Sequence, residues 1–204
     1  DVMKKLSIIL LTLCAALSAQ GATLKTEVCI YGESASGVVA AIQSARLGKK
    51  TLLVSKNTHV GGLATSGLTA TDINRQDQVG GIAADFYGRI WDYYTQSGVW
   101  RNQTREEFFE SSKKRTFTGK NDARQIQWVY ESGVAERIMK DMLAEAGVEV
   151  LYNAPLDLVN GAQVRGGKIR SIRLLDGTTV KAKMFLDCSY EGDLMAAAGV
   201  SHII

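Results

Sequence analysis

Histidine, cysteine and proline are scarce in this chain. Of 204 residues, two are His, three are Cys and one is Pro. His59 and His202 stand alone and no Cys-x-x-Cys pair occurs, so the spacings that hold zinc or an iron–sulfur cluster are missing. Charge of one sign is lacking too: 24 basic and 21 acidic residues leave +3, with no Lys/Arg stripe interleaved with aromatics, which argues against a nucleic-acid partner. No internal repeat or low-complexity tract breaks the sequence. With 46% apolar residues and 20 glycines, this is ordinary globular composition, long enough for one domain with a proper core.

Long apolar runs are absent as well, with one short exception. Lys4-Lys5 precede the stretch Leu6 to Leu17, which is followed by the small residues Ser18, Ala19, Gly21 and Ala22. A cationic head, an apolar stretch and a small-residue exit read as a secretory signal peptide over residues 1–21, with Met3 its natural start. The run falls short of the roughly 20 residues that span a bilayer. The expectation is therefore export to the periplasm or the exterior, with no stable membrane insertion once the leader is removed. The remaining cysteines, Cys29 and Cys188, sit in apolar strand patterns and read as small buried hydrophobes rather than a bridge.

Beyond the leader, the pattern predicts an α/β domain over 22–204. Thr26 to Tyr31 is a β-branched run ending at Gly32. Val38, Ile42 and Ala45 recur at helical spacing up to Gly48, and Thr51 to Val54 is a second apolar strand. Strand, glycine turn, helix and strand within about thirty residues make a βαβ unit with parallel strands. Ile82, Phe86, Ile90 and Tyr93 or Tyr94 predict a second helix, and Val134, Ile138, Met142, Leu143 and Ala146 a third, followed by a strand over Val148–Tyr152. Residues 99–127 are polar with little periodicity and read as a solvated excursion or lid. Within 156–181, Gly166-Gly167 and Asp176-Gly177 mark the turns of an antiparallel β-meander, inserted before a last strand at Met184–Asp187. The fold class is a Rossmann-like parallel sheet carrying that meander.

Three constellations carry chemistry. Gly32-Glu33-Ser34-Ala35-Ser36-Gly37 joins a strand to a helix, where a dinucleotide pyrophosphate needs a tight turn, close backbone approach and a helix N-terminus. Gly32 supplies the turn and Gly37 the close packing. Ser34 replaces the second glycine of G-x-G-x-x-G, losing some backbone approach but adding a hydroxyl. At the end of the second strand a carboxylate is expected for a ribose. Ser55-Lys56 stands there instead, suited to a hydrogen bond and, through Lys56, to a 2′-phosphate and hence NADP; a merely solvated Lys56 is the plainer reading. In His59-Val60-Gly61-Gly62-Leu63-Ala64-Thr65-Ser66-Gly67, paired glycines let the backbone press on a diphosphate, and Thr65 and Ser66 add short hydroxyls.

With that third motif the chain resembles the FAD-dependent oxidoreductases of the glutathione-reductase-like flavoprotein fold, closest to an exported bacterial, "xanthan-lyase-like" branch. Phe185-Leu186-Asp187-Cys188-Ser189-Tyr190-Glu191-Gly192-Asp193-Leu194 completes the likeness, which covers about residues 26–72 and 131–200. The resemblance implies FAD as cofactor. It implies that Gly32, Ser34, Ala35, Ser36 and Gly37 hold the diphosphate and that Ser55 and Lys56 face the adenosine ribose. Gly61, Gly62, Leu63, Thr65 and Ser66 would line the diphosphate and the approach to the flavin, with Asp187, Ser189, Gly192 and Asp193 closing the site. Ser55 departs from the family's usual glutamate, which puts adenosine affinity in doubt; Cys188-Ser189 is a mild departure. No catalytic acid or base is assigned: His59 reads as bonding locally, and Asp72, Asn74 and Arg75 as a solvated turn. The substrate is a small molecule of unread identity, and oligomeric state is equally unread. The family adds a substrate domain beyond this point, whereas Ile204 follows Asp193 by eleven residues without a capping signal, so a truncated product or fragment is expected. An NADP-binding reductase domain and a non-catalytic exported nucleotide-binding module stand as alternatives.

Overall fold

The computed structural model describes residues 21–73, 75–112 and 119–203. The leader expected over residues 1–21 lies outside them apart from Gly21, as does Asn74.

Two sheets and a helical layer stack on one another. The central sheet is wholly parallel, in the order β10 (Met184–Asp187), β2 (Val28–Tyr31), β3 (Thr51–Val54), β6 (Glu149–Leu151). Its two middle strands are buried on both faces, so they read as unbroken apolar runs. Strand period 2 then sends neighbours in opposite directions. Ile30 and Leu53 join a core with helices α1 (Ala35–Arg46), α2 (Gly81–Thr95) and α4 (Ser132–Glu145). Cys29, Tyr31, Leu52 and Val54 join a second core on the other face. Each helix turns one stripe inward: Val38, Ala41 and Ile42 from α1; Ile82, Phe86, Ile90 and Tyr94 from α2; Val134, Ile138, Met142 and Leu143 from α4.

The second core is capped by the meander β7 (Ala162–Arg165), β8 (Lys168–Arg173), β9 (Thr179–Lys181), paired antiparallel as the turn residues predict. Gly166-Gly167, with φ of 60° and 68°, makes the two-residue hairpin between the first two strands. One further strand, β1 (Thr23–Lys25), runs parallel to β9 and widens this sheet to four; no periodicity announces it. Among the described residues, Cys29 and Cys188 are both free thiols. Cys29 is fully buried, which pushes its thiol up to about 12.

The polar stretch 99–127 is more structured than its sequence predicts. Helix α3 (Arg105–Ser112) begins at a reciprocal cap: the Glu107 N–H donates to Thr104 Oγ1 (3.1 Å), and the Thr104 N–H donates to Glu107 Oε2 (2.7 Å). A short ribbon, β4 (Lys120–Asn121) with β5 (Ile126–Gln127), follows. Phe109, Ile126 and Trp128 are buried, and Trp100 packs on Phe108 and Phe109. Aromatic contacts that cross between short elements leave no period to read.

Among the described residues no helix is long and apolar enough to cross a membrane.

Candidate cofactor site

Strand order places the site. From β2 the chain steps to β3 and β6 on one side and returns to β10 on the other, so the order reverses between β10 and β2. In open α/β sheets a ligand crevice forms outside the carboxyl ends of the strands at such a reversal. The ends there are Tyr31 and Asp187, which pair in register.

The first loop is built around Gly32. Its φ is +110°, and a Cβ at this position would stand 2.3 Å from the carbonyl carbon of Cys188. Only glycine lets the two strand ends approach this closely. Gly37 serves the same approach from the helix, since a Cβ there would meet the Gly32 carbonyl oxygen at 2.0 Å. Ser34 caps α1: its Oγ accepts from the Gly37 N–H (3.3 Å) and donates to the Cys188 carbonyl (2.7 Å). Because that proton is committed, Ser36 is the donor in the 2.8 Å Ser34–Ser36 contact. Ser34 therefore has no donor left for a ligand. Ala35 and the exposed Ser36 open the helix, where the first amide groups lack intrahelical acceptors and carry positive partial charge.

The second loop joins the first through backbone. The Gly61 N–H donates to the Glu33 carbonyl (2.7 Å), and Ser34 and Gly61 form a parallel bridge. A 3-10 turn over Gly62–Thr65 follows. Thr65 is buried and its hydroxyl donates to the Val60 carbonyl (2.6 Å) while meeting His59 Nε2 at 2.8 Å. Ser66 donates to the Gly62 carbonyl (2.7 Å). Both hydroxyls fold the loop rather than point away from it. His59 bonds locally, its Nδ1 lying 3.1 Å from Glu136 on α4. Burial works to raise the Glu136 carboxyl, but Lys140 and His59 outweigh it and hold the group below the usual carboxylate range.

The third loop closes on the other two. Asp187 Oδ1 accepts from the Ser189 N–H (2.9 Å) and hydroxyl (2.7 Å), and its Oδ2 accepts from the Met195 N–H (2.8 Å). Ser189 Oγ accepts from the Asp193 N–H at 2.9 Å, which starts helix α5 (Asp193–Ala197) after Gly192. Tyr190 crosses to the second loop, where its Oη accepts from the Leu63 N–H (2.8 Å). Lys56 pairs with Glu191 (3.0 Å) and lies 3.7 Å from Asp193. The Glu191 hydrogen bond raises the Lys56 ammonium and lowers its own carboxyl.

All three loops thus meet, and the residues fit an extended diphosphate group through the backbone amides at the start of α1 and a glycine cradle. Ser55 does not reach that surface. It is fully buried, and its hydroxyl donates to the Asn57 carbonyl (2.8 Å) and accepts from the Asn57 N–H (3.1 Å). Among the participants that escaped the sequence reading, two lie on elements far along the chain. Tyr190 is one, because nothing in its local pattern signals a contact to a loop 127 residues away. Glu136 is the other. A cavity of about 730 Å³, walled by Tyr93, Tyr94, Trp100, Phe108, Tyr130 and Arg137, lies elsewhere and shares no lining residue with the three loops.

The family of FAD-dependent oxidoreductases matches residues 27–204, and the chain belongs to it, with FAD as its cofactor. Among solved structures it is similar to L-proline dehydrogenase from P. horikoshii (15% identity, TM-score 0.55, covering 89% of this chain and 58% of that one). It is also similar to a geranylgeranyl bacteriochlorophyll reductase-like protein from Thermoplasma acidophilum (18%, TM-score 0.53, 89% and 44%) and to L-amino acid deaminase from Proteus vulgaris (13%, TM-score 0.50, 83% and 48%). At these identities the likeness establishes the fold alone, a Rossmann-like α/β architecture. The chain spans about half the length of these structures. No curated protein sequence matches it.

Proposed function

We propose that this chain is the FAD-binding portion of an exported flavin-dependent oxidoreductase that acts on a small molecule. The observation that carries the reading is the meeting of the Gly32, Gly61-Gly62 and Asp187–Asp193 loops at the reversal of strand order. Bound FAD supplies the redox chemistry through its isoalloxazine ring. The protein's part would be placement: the backbone amides at the α1 N-terminus would hold the diphosphate, Gly61 and Gly62 would let backbone press against it, and the Asp187–Ser189 turn would fix the third wall. Export rests on the Lys4-Lys5 head, the Leu6–Leu17 run and the small residues that follow.

The chief rival is an NADP-binding domain, and Lys56 is its motive. Here that ammonium is occupied by Glu191 and Asp193, so a 2′-phosphate would have to displace two carboxylates. Purified protein should be yellow, release free flavin on denaturation and fail to retain NADPH. A colourless protein that holds NADPH would overturn the reading. For export, mass spectrometry of protein from the periplasm or medium should show loss of the residues up to Ser18, Ala19 or Gly21; an intact N-terminus would refute it.

A further inference from the structure

The end of β3 carries no carboxylate of its own, but one lies beside it. Ser55 occupies the position where a ribose-binding acid is expected and cannot act there, being buried with its hydroxyl spent. Glu33, between Gly32 and Ser34 in the first glycine loop, reaches across to the end of β3. Its Oε2 accepts from the Lys56 N–H (3.2 Å) and its Oε1 from Asn57 Nδ2 (2.5 Å). Pairing of Tyr31 with Val54, and the bond from the Gly32 N–H to the Val54 carbonyl, level the two strand ends, so the side chain spans one strand spacing.

We propose that Glu33 receives the 2′- and 3′-hydroxyls of the adenosine ribose and thereby selects FAD over a 2′-phosphorylated dinucleotide. The inference rests on the flavin reading above. Three observations favour it. Glu33 is only 9% exposed, yet no cation among the described residues lies within ion-pair distance: the adjacent Lys56 turns to Glu191 and Asp193. A carboxylate so buried needs hydrogen-bond donors to offset lost hydration. A carboxylate offers about four acceptor positions, and Lys56 N–H and Asn57 fill two. A vicinal diol brings two O–H donors, which completes the set. A 2′-phosphate brings no such donor, and its charge would face both Glu33 and Glu191.

The test compares FAD with its 2′,3′-dideoxyadenosine analogue on purified protein stripped of flavin, by titration against wild type and Glu33→Gln. Wild type should bind FAD about ten- to a hundredfold more tightly than the analogue, the range for hydrogen bonds to a charged group. Glu33→Gln should lose most of that preference, binding FAD about tenfold or more weakly with little change for the analogue. Equal wild-type affinity for both flavins would overturn the proposal, and this arm needs no variant to fold. Equal weakening of both flavins by Glu33→Gln would also overturn it, reducing Glu33 to a clamp on the β3 turn. Wild type that binds neither flavin would instead bring down the flavin reading itself.

Discussion

The Ser34 hydroxyl donates to the Cys188 carbonyl across 2.7 Å, joining two loops 154 residues apart. The same oxygen accepts the Gly37 N–H and so caps α1. One atom therefore sets both the helix start and the distance between β2 and β10.

Ser34→Ala should act on both. It removes a cap, worth about 0.5–2 kcal/mol, and leaves the Cys188 carbonyl without this donor, at about 1–3 kcal/mol if no water replaces it. Denaturant titration should show a loss of about 2 kcal/mol or more, together with weaker flavin retention. An unchanged midpoint would mean that the loops are held by their backbone bridge alone.

Gly32 and Gly166 offer a controlled contrast. Both have positive φ, but a Cβ at Gly32 strikes the Cys188 backbone at 2.3 Å, whereas one at Gly166 meets nothing within 4 Å. Gly166→Ala should cost about 1–2 kcal/mol, the strain of the left-handed conformation alone. Gly32→Ala adds displacement of a strand end, another 1–3 kcal/mol or so, and should abolish flavin binding. Thermal melts and flavin content of the two variants would measure the difference.

Glu136 should mark the acid limb of stability. Its folded pKa is lowered, so its contribution is fully present above the ordinary carboxylate pKa and fades as pH falls through the depressed value. Glu136→Gln should flatten the stability profile in that acid window and leave its shape near neutral pH unchanged. Urea midpoints taken across the acid range would reveal it. A profile as steep as wild type's would assign the acid limb to other carboxylates.

Tyr190→Phe removes the acceptor for the Leu63 N–H but keeps the ring. Tyr190 is largely exposed, so water can replace the hydroxyl and global stability should change by less than about 1 kcal/mol. Hydrogen exchange at the Leu63 amide should nonetheless speed up. Unaltered exchange would show that the contact does not order the second loop.

The scaffold was legible because its signals are local. Gly32 and Gly48 bracket a helix whose Val38 and Ile42 share one face, and the β2 and β3 runs show double-sided burial directly. The hairpin glycines fixed the meander in the same way. The site was less legible, for a physical reason. Sequence displays which hydroxyls and carboxylates exist, not which have spare hydrogen-bonding capacity. Ser34, Ser55 and Thr65 all looked available, yet each spends its proton on a carbonyl nearby in space. Glu33 received no role because its partners, Lys56 and Asn57, lie on the next strand's loop. The capping box Thr104–Glu107 was readable by rule, but its polar surroundings masked it. β1 is three residues long with exposed ends and has no signature at all.

Leu194, the second residue of α5, is buried at 1% exposure in the core shared by Tyr31, Leu156 and Ile172. The third wall of the crevice is thus anchored beneath the meander, and Tyr31 adds a second tie by accepting the Leu156 N–H through its hydroxyl (3.1 Å). Close-packed interiors transmit strain instead of absorbing it. Damage to the packing under the outer sheet, at Ile172 for instance, would therefore be felt at the crevice, and inherited variation in that sheet can tune cofactor hold without touching any group that meets the cofactor.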